Sequence, residues 1–158
     1  MSDLTLIRKA NEEDLSRIAE ILVFVKRINY RRIFLNDDFS FNELQVLKVA
    51  KEYQEKGRLK YIYVYDDGIV KGMIHIYKNE IVELYVDHFF EDQGIGTAMI
   101  RFAIEKFKVT YLWALEKNSD AIRFYERNGF YLSGERKLEE GTVEYLVMMK
   151  RETYGKDE

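Results

Sequence analysis

The chain has 158 residues, 47% of them hydrophobic and 15% aromatic, which suits one compact domain with a substantial core and argues against global disorder. Its formal net charge of −3, with acidic and basic residues interspersed, gives no electrostatic footprint for nucleic acid as the main ligand. Cysteine is absent, which excludes disulfides, thiolate metal sites and cysteine nucleophiles.

MSDLTLIRKA lacks the apolar segment of a signal peptide, and no apolar run approaches the ~18 residues of a membrane span. A soluble, cytoplasmic protein without membrane association is therefore expected. Leu4 to Arg8 reads as a short strand, with Leu4, Leu6 and Arg8 alternating to one side. Asn11 reads as a helix cap, and Glu12, Glu13 and Asp14 suit the positive end of the helix dipole. Leu15, Ile18, Ala19, Leu22 and Val25 follow helical spacing. The segment INYRRIFLNDDF beyond them shows no clear period. Ser40 with Glu43 forms a capping-box pattern for a second helix. Val46, Val49, Ala50 and Tyr53 give that helix its buried stripe, and Gly57 stands where a C-terminal glycine is expected.

Strands follow at Lys60 to Tyr65 and Ile69 to Tyr77, joined through Asp67-Gly68, a strong two-residue hairpin signal. Lys78-Asn79 turns the chain into a third strand, Glu80 to Val86. A helix runs from Gly96 to about Phe107, with Ile95, Ala98, Met99 and Phe102 on one face. Val109 to Leu115 is a strand, Ser119 to Arg127 a short helix ended by Asn128-Gly129, and Phe130 to Lys137 and Thr142 to Lys150 a closing hairpin. The order β-α-α-β-β-β-α-β-α-β-β describes a single α/β domain with a mixed sheet.

Two segments carry chemistry. In the first, Leu84-Tyr85-Val86 leads through a loop into Gln93-Gly94-Ile95-Gly96-Thr97, which opens a helix. Glycines at that junction let backbone N–H groups close on an anion, and the helix dipole adds to the attraction, although a plain glycine turn reads equally well. A P-loop is excluded because no Gly-Lys-Ser/Thr is present. A dinucleotide fingerprint would need a small residue where Met99 stands. Glu116 lies about 20 residues downstream as that fold requires, yet the preceding strands form a meander, so this alternative loses.

The second segment is Asn118 to Phe130. A strand ending in Asn, then a helix with Ala121-Ile122, Phe124-Tyr125 and Gly129-Phe130, resembles the acyl-CoA-binding motif B of the GNAT superfamily of N-acetyltransferases. The glycine loop behind Leu84-Tyr85-Val86 resembles that family's motif A, in the right order and at a suitable separation. The resemblance covers essentially the whole chain. It implies a single-domain GNAT fold over residues 1–151, a mixed, mostly antiparallel sheet flanked by helices, with a polar tail at 152–158. It implies acetyl-CoA as co-substrate, no metal, and transfer to a primary amine on a small molecule or a protein; a homodimer is compatible with it.

The resemblance also implies roles. Backbone groups of Leu84, Tyr85 and Val86 should pair with the pantetheine arm, and Gln93, Gly94, Ile95, Gly96 and Thr97 should hold the pyrophosphate. Asn118 should bond the pantetheine or the site wall, and Tyr125 should reach the sulfur. The family usually opens this loop with Gln or Arg and then Gly. Here Glu91 and Asp92 take those places, and two carboxylates beside a pyrophosphate need to face solvent. A tyrosine, whose pKa of ~10 keeps its hydroxyl protonated at neutral pH, is a candidate proton donor to a departing thiolate. With no Gly-x-Ser-x-Gly element and no cysteine, direct transfer in a ternary complex is the simpler mechanism. Glu80 and Glu83 are the candidate bases, on opposite faces if their strand is regular. Tyr30, Phe34, Phe39 and Phe41 sit where the family builds its acceptor pocket, with core packing an equal contender. His75 and His88 show no metal-ligand spacing and read as packed or surface histidines. The alternative function is a non-catalytic acyl-CoA-binding sensor or interaction module of the same fold.

Overall fold

A computed structural model describes residues 3–153, apart from the side chains of Phe39 and Glu43; positions 154–158 of the expected polar tail lie outside the described residues. The regular elements are β1 (Ile7–Lys9), α1 (Leu15–Phe34), α2 (Val46–Glu55), β2 (Ile62–Asp66), β3 (Val70–Tyr77), β4 (Glu80–Val86), α3 (Ile95–Phe107), β5 (Tyr111–Leu115), α4 (Ser119–Arg127), β6 (Phe130–Leu138) and β7 (Tyr145–Arg151). The seven strands form one sheet in the order β1-β2-β3-β4-β5-β7-β6, and every neighbouring pair is antiparallel except β4 with β5. The α/β, mostly antiparallel architecture read from the sequence is the one observed. Among the described residues, no helix is long and apolar enough to cross a membrane.

Alternation along the strands feeds two cores. Ile62, Val64 and Met73 pack with Ile18, Leu22 and Val23 of α1 and with Val49 and Tyr53 of α2. Ile74, Ile76 and Ile81 face the other way, onto Ile95, Met99 and Phe102 of α3. The tyrosine-rich stretch before Asp66 follows the same rule, since Tyr63 and Tyr65 join the α3 side while Ile62 and Val64 join the α1 side.

Three local expectations are corrected. Leu4–Leu6 is a short 3-10 turn rather than the start of a strand, because Asp3 caps it by accepting from the Thr5 N–H. The segment from Ile28, read as lying between the two helices, instead continues helix α1, which runs to Phe34 and stops at Leu35 in the left-handed conformation. Its last turns bury no periodic stripe, so they leave no signal in the sequence. Ser40 and Glu43 do not open α2: Phe39–Glu43 is a π-helical turn and α2 starts at Val46. The Arg27 guanidinium donates to the carbonyls of Ser40 and Leu44, holding that turn from α1. Asn11, by contrast, does make a capping box with Asp14, and the Arg8 guanidinium grips both Asp14 oxygens.

Close packing of α3 on the sheet depends on Gly72 in β3. A Cβ there would lie 2.7 Å from Met99 Cε, 3.2 Å from the Tyr85 carbonyl oxygen and 3.3 Å from Ile95 Cγ2. Met99 can yield, but the backbone oxygen cannot. Gly72→Ala is therefore expected to cost about 1–3 kcal/mol in urea unfolding; an unchanged midpoint would show that α3 has slack against the sheet.

Candidate active site

Strands β4 and β5 run parallel but share only two register pairs, Glu80↔Tyr111 and Ile81↔Leu112. Beyond them the strands separate. The separation coincides with a bulge: His75 of β3 faces Glu83 and Ile76 faces Ile81, so Val82 is an extra residue in β4. From Val82 to Val86, β4 therefore has β3 on one side and no ladder partner on the other.

A cleft of about 900 Å³ occupies this gap. One wall is β4 from Val82 to Val86, and the opposite wall is Trp113, Ala114 and Leu115 of β5. The N-terminus of α3 closes one end with Gly94, Ile95, Gly96 and Thr97. Asn118, Ala121, Phe124 and Tyr125 from the start and middle of α4 line the side, and Lys26, Asn29 and Tyr30 of α1 reach in from the other core.

The α3 end is built to leave donors free. Gly94 is the N-cap with φ of 79°, and no side chain caps the helix. The first amides of α3 thus have no intrahelical partner and add to the positive end of its dipole. Asp92 also has a positive φ, 61°. It keeps the left-handed turn that glycine favours, which aspartate tolerates better than most residues. Glu91 and Asp92 are both exposed at the cleft mouth. The loop is anchored from behind: Asp87 accepts from the Phe89 N–H and forms an ion pair with Arg17 of α1 at 2.7 Å.

The candidate residues divide cleanly by position. Leu84, Tyr85, Val86, Gly94, Ile95, Gly96, Thr97, Asn118, Tyr125 and Glu83 line the cleft; Gln93 and Glu80 are not part of its walls. Glu80 instead accepts from the Tyr111 hydroxyl at 3.3 Å. The bulge also removes the premise that Glu80 and Glu83 face opposite ways: their partners Tyr77 and His75 alternate normally in β3, so both carboxylates lie on the α1–α2 side. Asn118 Oδ1 accepts from the Ala121 N–H and caps α4. Of the expected acceptor-pocket aromatics, Tyr30 lines the cleft and Phe34 packs edge-on against it, while Phe41 is exposed beneath the Arg27 and Arg31 guanidinium groups. The Phe39 side chain lies outside the described part.

Electrostatics set the protonation states. Burial would raise the Glu83 carboxyl, but His75, the charge of Lys26 and the Tyr53 hydroxyl outweigh it and hold the group below the usual carboxylate range. Burial, and then the Tyr30 hydroxyl, push the Tyr125 phenol well above its ordinary value. Burial does the same for Tyr85, whose hydroxyl is hydrogen-bonded to Tyr30. At neutral pH the cleft therefore presents an ionised carboxylate and neutral phenols. Lys26, Asn29, Tyr53 and His75 were not singled out as site residues by the sequence, because each reaches Glu83 or the cleft through the tertiary fold alone.

Comparison with known proteins follows this geometry. A family model described as an acetyltransferase (GNAT) domain matches residues 58–132. An uncharacterized N-acetyltransferase of Methanocaldococcus jannaschii is 42% identical over 77 residues, 46% of this chain and 31% of that protein, so the match spans under a third of that relative's length. The solution structure of apo-form YjaB from Escherichia coli superposes with a TM-score of 0.74 at 19% identity, over 91% of this chain and 95% of that one. A PaiA N-acetyltransferase from Thermoplasma acidophilum, in complex with coenzyme A, gives 0.58 at 21% identity over 92% and 98%. At these identities the structural likeness is one of fold.

Gly96 carries a packing constraint besides its place at the helix start. A Cβ there would lie 2.8 Å from Cζ of Phe124. Gly96→Ala is therefore expected to cost about 1–3 kcal/mol without any ligand, and Phe124→Leu, which removes the conflicting ring edge, should recover part of it. Unfolding of Gly96→Ala at the wild-type midpoint would mean the ring moves aside freely.

Proposed function

We propose that this chain, whose residues 58–132 match an acetyltransferase (GNAT) domain model and whose fold is that of GNAT structures, transfers an acetyl group from acetyl-CoA to a primary amine by direct attack in a ternary complex. The observation that carries this reading is the opening of β4 from β5, with free helix amides at one end and Glu83 and Tyr125 on its walls. An extended chain of alternating amides and methylenes, which is what pantetheine offers, can pair with the open edge of β4 at Leu84, Tyr85 and Val86 much as a strand would. The N–H groups of Ile95, Gly96 and Thr97 receive the pyrophosphate. Gln93 stands outside the walls, and its part is confined to shaping the loop.

In this reading Glu83, ionised and inside the cleft, attracts the acceptor's ammonium group and takes its proton, directly or through water. Because the carboxylate is only weakly basic it does not retain the proton, which passes to solvent water. The neutral amine attacks the thioester carbonyl, forming the new carbon–nitrogen bond, and a β4 amide supplies the hydrogen bond for the developing oxyanion. The nitrogen of the tetrahedral intermediate loses its extra proton to water, and collapse breaks the carbon–sulfur bond. Tyr125, held neutral by burial, gives its proton to the departing thiolate and regains one from solvent. Glu80 has no part in the transfer, being committed to Tyr111 outside the cleft.

Acetyl-CoA at a hundredfold excess over its Kd should stabilise the fold by about 2.7 kcal/mol, and free thiol should appear when a suitable primary amine is added. No thermal shift at millimolar acetyl-CoA would sink the assignment. Tyr125→Phe keeps the ring packed against Phe124 and Phe130 and removes only the hydroxyl. It is expected to lower the single-turnover rate by roughly 10²–10⁴-fold with acetyl-CoA affinity nearly intact. An unchanged rate in the stable variant would take Tyr125 out of the mechanism.

A further inference from the structure

We propose that Tyr53 and His75 are positioning residues that fix which oxygen of Glu83 faces the cleft. The inference rests on the reading of Glu83 as the group that receives the acceptor's proton. From α2, the Tyr53 hydroxyl donates to Glu83 Oε1 at 2.5 Å. From β3, His75 Nδ1 lies 3.4 Å from the same oxygen. An ionised carboxylate can only accept, so this contact requires the imidazole proton on Nδ1. Both donors converge on Oε1 and neither engages Oε2. A carboxylate gripped by one oxygen from the helix and sheet side turns its second oxygen toward the cleft that its residue lines.

Each donor is itself held in place. Tyr53 is 3% exposed, with the Arg58 guanidinium 5.0 Å from its ring centre. His75 is 8% exposed, sits opposite Glu83 in the β3–β4 ladder, and stacks on Tyr61 with 13° between the ring planes. Filling this space would need only apolar rings; the hydroxyl and the Nδ1 proton are what packing does not require. Buried polar groups persist where their partners satisfy them, and here the shared partner is the carboxylate of the cleft. The other titratable groups facing Glu83 are Lys26 and Tyr30 from α1 and Tyr85 from its own strand. Lys26 favours the ionised carboxylate, and the two phenols are neutral, so neither replaces the grip on Oε1.

The test does not need an acceptor. Glutamate labelled with carbon-13 at the carboxyl carbon, with Glu83→Gln to assign the signal, reads the titration of Glu83 in the whole protein. Its midpoint should move up in Tyr53→Phe and in His75→Phe, which keep a ring but lose the donor. His75→Asn, whose amide nitrogen can take the place of Nδ1, should stay near wild type. Unmoved midpoints in folded Tyr53→Phe and His75→Phe overturn the proposal, whatever the protein acetylates. Single-turnover transfer supplies the second arm: Tyr53→Phe should lose about ten- to hundredfold in rate at unchanged acetyl-CoA affinity, and lose nothing more in the Glu83→Gln background. Equal losses in both backgrounds also overturn the proposal. Full activity in Glu83→Gln alone instead defeats the reading of Glu83 as the base, so the two failures are distinguishable.

Discussion

Backbone N–H and C=O groups inside a sheet must be paired, and an unpaired one costs about as much as a lost hydrogen bond. The seam between β4 and β5 departs from this rule, with two register pairs and then separation. Everything around the cleft follows from that break. The half of β4 beyond Val82 leaves an unpaired edge in the middle of the sheet, between β3 and β5. The amides at the start of α3 lie at the end of the same gap, and the side chains of α4 line it. The unpaired stretch of β4 thus lies inside the sheet rather than at an outer edge, where open sheets invite edge-to-edge pairing.

The two cores divide the labour across the sheet. On the α3 side, Ile74, Met99, Ile100 and Ala103 are fully buried, and the helix start is set at its height above β3 by the absence of a side chain at Gly72. The α1–α2 side is also apolar near β2 but becomes polar toward β4, where Tyr53, His75 and Glu83 share one oxygen. Burial there does not neutralise the carboxylate, because three neighbours offset its desolvation.

Much of this was legible in the residue order. Strand β4 and helix α4 have the bounds the sequence implied, since each is marked by local turn and cap chemistry, Lys78-Asn79 before one and Asn118 with Asn128-Gly129 around the other. The glycines at the start of α3 and the cap asparagine of α4 were legible for the same reason, since they act within a few positions of themselves. Other features lie outside what periodicity can carry. The final turns of α1 bury no stripe. The expected cap at Ser40 was superseded by Arg27, thirteen residues away, whose guanidinium satisfies the Ser40 and Leu44 carbonyls. Tyr53 meets Glu83 across thirty residues of sequence, and nothing local marks either as the other's partner. Glu80 and Glu83 would face opposite ways only in a regular strand, and Val82 breaks that regularity by adding a residue between them.

That extra residue sets a trade between durability and use. A chain shortened by Val82 alone would still turn Glu83 toward His75 and Leu84 toward Ile74, since the parity on either side of the bulge is already matched. The ladder with β3 would then carry no extra residue, and the local bend that a bulge imposes would be lost. Residue 82 thus marks the place where β4 gives up ladder regularity, beside the seam that opens into the cleft.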